Sequence, residues 1–516
     1  MKPTDKTAEV PQAQYTHSEI MVVIVSLMLV MLLAALDQTI VSTALPRIAT
    51  DLHGLNRLSW VATAYLLTSA ITTPIYGKIS DLFGRKKIFQ SAIVIFLVGS
   101  VLCGISQSMG QLIAARALQG IGAGGLMSLV LAIVGDIIPP RQRGQYMGYF
   151  LAVFGVASVA GPLLGGFLTD SLSWRWIFFV NLPIGAVALS TVASRLHLPV
   201  YKHEHKIDYL GAMLLSGASV SILLATVWGG NTYAWGSGQI ISLLIAGLVL
   251  AVSFVLQERR AEEPIIPMGL FRNDVFTVSI ILSLLAGIAM FAAILYIPEY
   301  QQIVRGYSPT KSGLLMLPLV LGLLVASITS GRLTTKFGRY RIFPIFGTLV
   351  MAFGLWLFSH VTLSTSQLTL AIWMAVIGIG LGSFMQIMTL AVQNAVDRRQ
   401  MGTATSSATF FRSLGSSFGG AIFGSILTSR LTHHLAQLSS QASSGAVPSI
   451  KAIQSGAANL HSLPPSVATE VAQAFVRSFH DMFLLTIPVA LLTFVAALFL
   501  KEVPLRSSHE QPASLE

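Results

Sequence analysis

Fourteen long apolar stretches recur along the 516 residues, and they constrain the fold more than any motif does. They fall near 20–44, 58–77, 88–107, 110–134, 145–169, 175–196, 208–228, 239–257, 275–298, 312–334, 342–361, 367–391, 402–428 and 479–500. A helix crossing the hydrocarbon core takes about 20 apolar residues. In lipid every backbone polar group must be bonded within the chain, which leaves helices or closed barrels. Stretches of this length read as helices. The expected fold class is an all-α integral membrane protein with 14 transmembrane helices. Composition agrees, because only 10% of residues are charged, against roughly 25% in an average soluble domain. The mean hydropathy of +0.72 excludes a disordered chain, a secreted disulfide scaffold and an ordinary cytosolic enzyme.

The formal net charge is +11. In a soluble chain this would point to nucleic acid, but in a membrane protein basic residues collect in cytoplasmic loops. Alternate loops divide unequally. One set holds eighteen Lys and Arg, including Lys78, Arg85, Lys86 and Lys87, and Arg332, Lys336, Arg339 and Arg341; the other set holds eight. The richer set is expected to be cytoplasmic, with both termini on that side. No cleavable signal peptide is expected, since the first apolar run is too long and lacks a small-residue cleavage site. The single cysteine, Cys103, cannot form an intramolecular disulfide and reads as packing.

The chain also repeats itself. GKISDLFGRKK (Gly77 to Lys87) returns as GRLTTKFGRYR (Gly331 to Arg341) at an offset of 254 residues. The two turns lie eight apolar stretches apart, whereas adjoining six-helix halves would place them six apart. Two extra helices therefore sit between two related halves, a build typical of secondary transporters. The expected organisation is a tail (1–19), a six-helix bundle (20–200), two inserted helices (207–258), a charged linker (259–274), a second six-helix bundle (275–500) and a tail (501–516). An outer loop is expected at 429–478. Leu431, Leu435 and Leu438, then Val467, Val471 and Phe475, recur there at helical spacing, so this loop is either a short amphipathic hairpin on the surface or disordered.

Several motifs resemble one known family. GKISDLFGRKK is similar to the loop signature of the major facilitator superfamily. RALQGIGAGG from Arg116 resembles its arginine motif, and GPLLGG from Gly161 its antiporter motif. LDQTIVSTALP, WRWIFFVNLPIG and QNAVDRRQMGTATSSATFFRSLG resemble the fourteen-span drug–proton antiporters of the EmrB/QacA type. The resemblance covers nearly the whole chain. It implies proton-driven export of diverse lipophilic, often cationic, drugs through the plasma membrane by alternating access. It also implies no cofactor beyond protons, no nucleic-acid partner and a functional monomer within the lipid bilayer.

Few ionisable residues lie within the apolar stretches: Asp37, Arg116 and Arg412, with Glu299 at one end. A charge at the bilayer centre costs at least about 2.5–3.5 kcal/mol, so such groups face a cavity or one another. The resemblance places Asp37 and Arg116 around one cavity. Asp37 is then either the coupling-proton carrier, with protonation and cationic drug competing for it, or half of a fixed stabilising pair. Glu299 is a second proton or cation site, or an interfacial acid. Arg412 is expected to snorkel toward backbone carbonyls near the inner interface. Asp81, with Gly77, Gly84 and Arg85, reads as a conformational latch. Its carboxylate would dock at the helix N-terminus that superfamily analogy places near Gly402. Thr335 at the matching place makes the second copy weak.

Gly155, Gly161, Pro162, Gly165 and Gly166 share one stretch, where small residues permit close helix approach. They are ordinary packing or a tight seal between the halves. Trp60, Tyr65, Phe291, Tyr296, Met385, Gln386 and Met388 are the candidate lining of an adaptable drug pocket, since Met and aromatic side chains repack around different ligands. The alternative for each is packing or lipid contact. His203, Glu204 and His205 supply too few ligands for a metal site. No phosphate-binding GxxxxGK[ST] loop and no catalytic motif is present. The function expected is proton-coupled multidrug efflux. A same-fold exporter of a lipid, siderophore or amino acid is the first alternative. A receptor on a transporter scaffold is a weaker one, because the short tails leave no room for a signalling domain.

Overall fold

The computed structural model describes residues 17–52, 58–138, 140–196, 208–230, 233–397, 400–441 and 465–505. The first half contains α1 (His17–Asp51), α2 (Leu58–Phe83), α3 (Arg85–Gly104), α4 (Met109–Ile137) and α5 (Pro140–Ser171). The single turn α6 (Trp176–Phe179) then leads into α7 (Asn181–Arg195). Next come α8 (Tyr209–Trp228), α9 (Gly238–Glu258) and a 3-10 turn at Met268–Arg272. The second half contains α10 (Asp274–Ile303), the short α11 (Pro309–Leu315), α12 (Leu317–Phe337), α13 (Ile342–Ser359), α14 (Gln367–Ala395), α15 (Met401–Gln441) and α16 (Pro465–Leu498). Helix starts follow local chemistry. Ser108, Asp208, Ser237, Asn273, Ser308 and Ser366 each accept a hydrogen bond from a backbone N–H in the first turn that would otherwise lack a partner.

Eleven helical segments among the described residues are long and apolar enough to cross a membrane. The helices α2, α5 and α15 run beside them but fall outside that set.

Each half closes around its own apolar core. Leu27, Phe89, Phe96, Leu129 and Phe150 centre the first, and Leu282, Tyr300, Phe358, Leu381 and Phe483 the second. Between the bundles, α2 packs on α15 and α5 on α12. The inserted α8 and α9 pack on one another, and α8 lies against α2 and α15.

The repeated turns share their backbone. Gly84 and Gly338 stand at equivalent places, with φ of 92° and 70°. That left-handed geometry strains a residue with a Cβ. We call the side bearing these turns the basic face.

Residues 429–441 and 465–478 differ from the expected surface hairpin. They continue α15 and α16 as helix, with Leu431, Leu435, Val471 and Phe475 buried. The Asp481 carboxylate joins the two, 3.2 Å from His434 and 3.7 Å from Arg430. The helical spacing reflected a packed seam rather than a membrane-surface face. Residues 442–464, and His203, Glu204 and His205, lie outside the described residues.

Candidate functional site

Two polar clusters stand out in the apolar interior. The first lies wholly within the first bundle. Asp37 on α1 is 0% exposed and Arg116 on α4 is 2% exposed. The Arg116 Nη1 donates to Asp37 Oδ2 at 2.6 Å and to Gln119 Oε1 at 2.7 Å. The other carboxylate oxygen, Oδ1, accepts from Gln119 Nε2 at 2.8 Å and from Asn181 Nδ2 at 3.0 Å. Ser100 on α3 accepts from both amides and donates to the Phe178 carbonyl at 2.9 Å. Thus α4 and α7 hold the α1 carboxylate, and α3 braces the two amides through Ser100.

The aromatic lid of this cluster is Tyr65. Its ring centroid is 4.2 Å from the Arg116 guanidinium carbon, within cation–π range. Its hydroxyl is buried with no hydrogen-bond partner among the described residues.

The second cluster ties the bundles together at the basic face. Asp81, at the end of α2, accepts from the Gly402 and Thr403 backbone N–H groups at 3.1 and 2.7 Å and from the Thr403 hydroxyl at 2.9 Å. The carboxylate sits at the positive end of α15, where free N–H groups and the helix dipole favour an anion. Arg85 Nη1 contacts Asp81 at 2.7 Å, and the same guanidinium pairs with Asp136 of α4. Gly77 makes this approach possible, since a Cβ there would lie 2.6 Å from the Ser406 Cβ and 2.8 Å from the Gly402 carbonyl.

A neighbouring knot repeats the junction. Gln393 of α14 donates to the Leu131 carbonyl of α4 at 3.0 Å and accepts from Arg143 of α5 at 3.2 Å. Arg143 also binds the Gly135 and Ile138 carbonyls at the end of α4. In the second half, Thr335 donates to the Gly331 carbonyl of its own helix at 3.0 Å. There the turn is held by the chain's own C-terminal segment. The Tyr340 and Arg341 N–H groups donate to Glu502 at 2.8 and 3.0 Å, and burial pushes the Tyr340 hydroxyl up to about 12.

The remaining candidates spread out. Gly155 packs on Val320 of α12, between the bundles, whereas Gly161 packs on Thr39 of α1, inside one bundle. Gly165 is buried; Gly166 has open space at its Cβ position; Pro162 lies within α5. Trp60 meets Trp228 of the inserted α8 at 5.7 Å. Phe291 and Tyr296 face the Gly420 region of α15, with the Tyr296 hydroxyl donating to the Gly420 carbonyl at 2.8 Å. Met388 is in the second core, and Met385 packs against it. Glu299 is half-buried near the end of α10, and Gln386 is 8% exposed on α14.

Arg412 departs from the expected snorkelling. It lies three turns into α15, and among the described residues no carbonyl or carboxylate pairs with its guanidinium. Sequence reasoning passed over Gln119, Asn181, Ser100, Asp136 and Gln393. Gln119 was signalled by its place three residues after Arg116 on one helix face. Gln393 offered no signal that a lone amide provides.

This architecture, two helical bundles with a shared face and a buried charge network, is that of a membrane transporter. The Major Facilitator Superfamily sequence profile matches residues 27–420, and the chain belongs to that family. It is a transporter and not an enzyme. The chain is 36% identical over 496 residues to Multidrug resistance protein 3 of Bacillus subtilis, covering 95% of this chain and 96% of that protein. It is 42% identical over 396 residues to the multidrug transporter protein MdtP of the same organism, covering 76% and 73%. A double-Trp XylE mutant shares the fold, with a TM-score of 0.60 at 16% identity, covering 96% of this chain and 98% of that one.

Proposed function

We propose that the protein is a proton-coupled efflux antiporter that exports lipophilic small molecules by alternating access. The observation that carries this reading is the Asp37 carboxylate. It is fully buried, bound by Arg116, Gln119 and Asn181, and roofed by the Tyr65 ring that lies over the Arg116 guanidinium. Protonation of Asp37 removes the charge that holds Arg116, so the pair parts and the bundle repacks. Re-ionisation draws Arg116 back. Relatives named for multidrug transport supply the cargo class.

In this reading the basic face is cytoplasmic, both termini are inside the plasma membrane, and α2, α5 and α15 complete fourteen spans. The Asp81 and Gln393 junctions form the inner gate, closed in this conformation. Protons are the coupling ion, and a monomer holds the complete pathway. One charge moving down 100 mV releases about 2.3 kcal/mol, enough to drive a gradient of nearly fiftyfold.

The test is reconstitution into lipid vesicles with an imposed pH gradient, following accumulation of a fluorescent lipophilic dye. Wild type is expected to move the dye with the gradient. Asp37→Asn is expected to retain insertion and dye binding and to lose the response to pH. Undiminished pH-driven transport by Asp37→Asn removes Asp37 from the mechanism.

A further inference from the structure

The interior charges do not balance, and the imbalance falls where the bundles face each other. In the first bundle Asp37 and Arg116 neutralise one another. Arg412 has no such partner among the described residues. An unpaired guanidinium at membrane depth is costly, and its natural occupant is an anion brought by something else.

Neighbouring contacts place Arg412 on its helix face, at the edge where its carbonyl meets Gly287 of α10. On α15, Gly402 and Ser406 turn toward Asp81 and Gly77 of α2. Gly415 and Gly419 turn toward Leu284 and Ile288 of α10. Between these two flanks runs a polar stripe, Thr405, Thr409, Arg412 and Ser416, spaced 4-3-4 along one helical face. Its first member accepts from Gln393 of α14 at 3.2 Å, at the inter-bundle junction. Arg412 is seven residues further on, the same face two turns deeper, roughly 10 Å from the seal.

Gln386 makes the same displacement on α14. It is seven residues before Gln393 on the antiparallel helix, and so shares its face at the depth of Arg412. The Gln386 amide is 8% exposed and also carries no hydrogen bond among the described residues. A guanidinium with five donors and an amide with two more thus lie at one depth on consecutive helices, on the faces that meet at the closed junction below.

We infer that Arg412 and Gln386 form the recognition site for an acidic group on the cargo, so that the preferred substrates are lipophilic carboxylates or other lipophilic anions. A guanidinium fork matches a carboxylate in a bidentate pair. The Gln386 amide adds a third donor. The uncompensated cation works against the cationic cargo that the family resemblance implies. This inference rests on the efflux reading for its setting, and specifies the substrate class of that transporter.

The matched probes are rhodamine 110, which has a free carboxylate, and its methyl ester rhodamine 123, which lacks it. Equilibrium binding to the detergent-solubilised full chain is read by fluorescence anisotropy, and transport by the vesicle assay. Wild type is expected to bind the acid at least tenfold more tightly than the ester. Arg412→Gln should abolish that preference, bringing acid binding down to the level of the ester. Gln386→Glu supplies an internal carboxylate to Arg412 and should also abolish it, which covers the case in which Arg412→Gln does not fold. Equal binding of the two dyes by wild type, or an unchanged preference in both variants, overturns the inference. A clear acid preference without pH-driven movement of either dye upholds the recognition site and instead defeats the efflux reading.

Discussion

Asp81 and Thr403 are separated by 322 residues of sequence, yet the carboxylate of one accepts both the backbone N–H and the hydroxyl of the other, at 2.7 and 2.9 Å. The contact joins α2 of the first bundle to the first turn of α15 in the second. Any motion that opens the basic face must break it. Hydrogen bonds to a charged group contribute about 1.5–3 kcal/mol each. Asp81→Asn keeps an acceptor but loses the charge and the Arg85 pair. It is expected to lower turnover by about tenfold or more and to change dye affinity by less than threefold, measured by transport and anisotropy on one preparation. A change confined to affinity would assign Asp81 to cargo binding.

Gly77 tests the same junction sterically. Valine there would drive its side chain into Ser406 and the Gly402 carbonyl, backbone that cannot rotate away. Gly77→Val is expected to hold α2 and α15 apart and leave the basic face open. Thiol labelling of a Ser406→Cys probe, buried in the parent, should rise at least tenfold in rate in the Gly77→Val background. The native Cys103 is itself buried and silent.

Much of this was legible in the residues, because lipid imposes strict rules. The apolar stretches locate the helices, and the twice-occurring glycine turn reveals both halves and the inserted pair. Asp37, Arg116 and Asp81 stand out because charge is so rare in this interior. The neutral members of the network were hidden. Gln119, Asn181 and Ser100 are polar residues of a kind that apolar helices tolerate singly, and only folding shows the two amides meeting on one carboxylate with Ser100 bridging them. The periodicity at 429–478 leaves a surface hairpin and disorder both open, because burial against a neighbour helix and burial in lipid give the same spacing; the packed seam of α15 and α16 is visible only in the fold.

Those neutral residues should differ in weight. Gln119 bonds to Asp37, Arg116, Ser100 and Cys103, Asn181 to Asp37 and Ser100 only. Removing one partner of a buried charged group costs about 1–3 kcal/mol, and a neutral bond about 1 kcal/mol. Thermal unfolding in detergent should therefore rank Gln119→Leu as most destabilising, then Asn181→Leu, then Ser100→Ala. A Ser100→Ala loss equal to that of Gln119→Leu would show that packing, not the hydrogen bonds, dominates.

Gly84 and Gly338 share a left-handed backbone but not a setting. Alanine at either is expected to cost about 1 kcal/mol of stability. Gly84 immediately precedes Arg85, whose side chain holds Asp81 and Asp136. Gly338 lies in a turn fastened to the chain's own Glu502. Gly84→Ala should slow transport severalfold, whereas Gly338→Ala should lower the melting temperature with transport nearly unchanged. Equal transport defects would mean that the second turn also takes part in gating.

Besides the packing of α8 on α2 and α15, an ion pair ties the linker that follows the inserted helices to the gate. Lys78, one turn before Asp81 on α2, lies 2.5 Å from Glu263 of the linker. The linker is pinned to the end of α9, where the Glu258 carboxylate accepts the Ile265 and Ile266 N–H groups at 3.2 and 3.0 Å. Lys78 and Glu263 are 14% and 31% exposed, so the pair is partly shielded from water and salt. Charge reversal at one end sets like charges together beside the Asp81 junction. Glu263→Lys is expected to cut transport about threefold to tenfold, the range of a surface-to-semiburied pair. Adding Lys78→Glu restores opposite charges in the reverse order and should recover at least half of the loss. Recovery in the double variant shows that the linker acts on α2 through this pair; its absence would mean that Glu263 acts through its other neighbours, leaving α8 and α9 without an electrostatic hold on the gate.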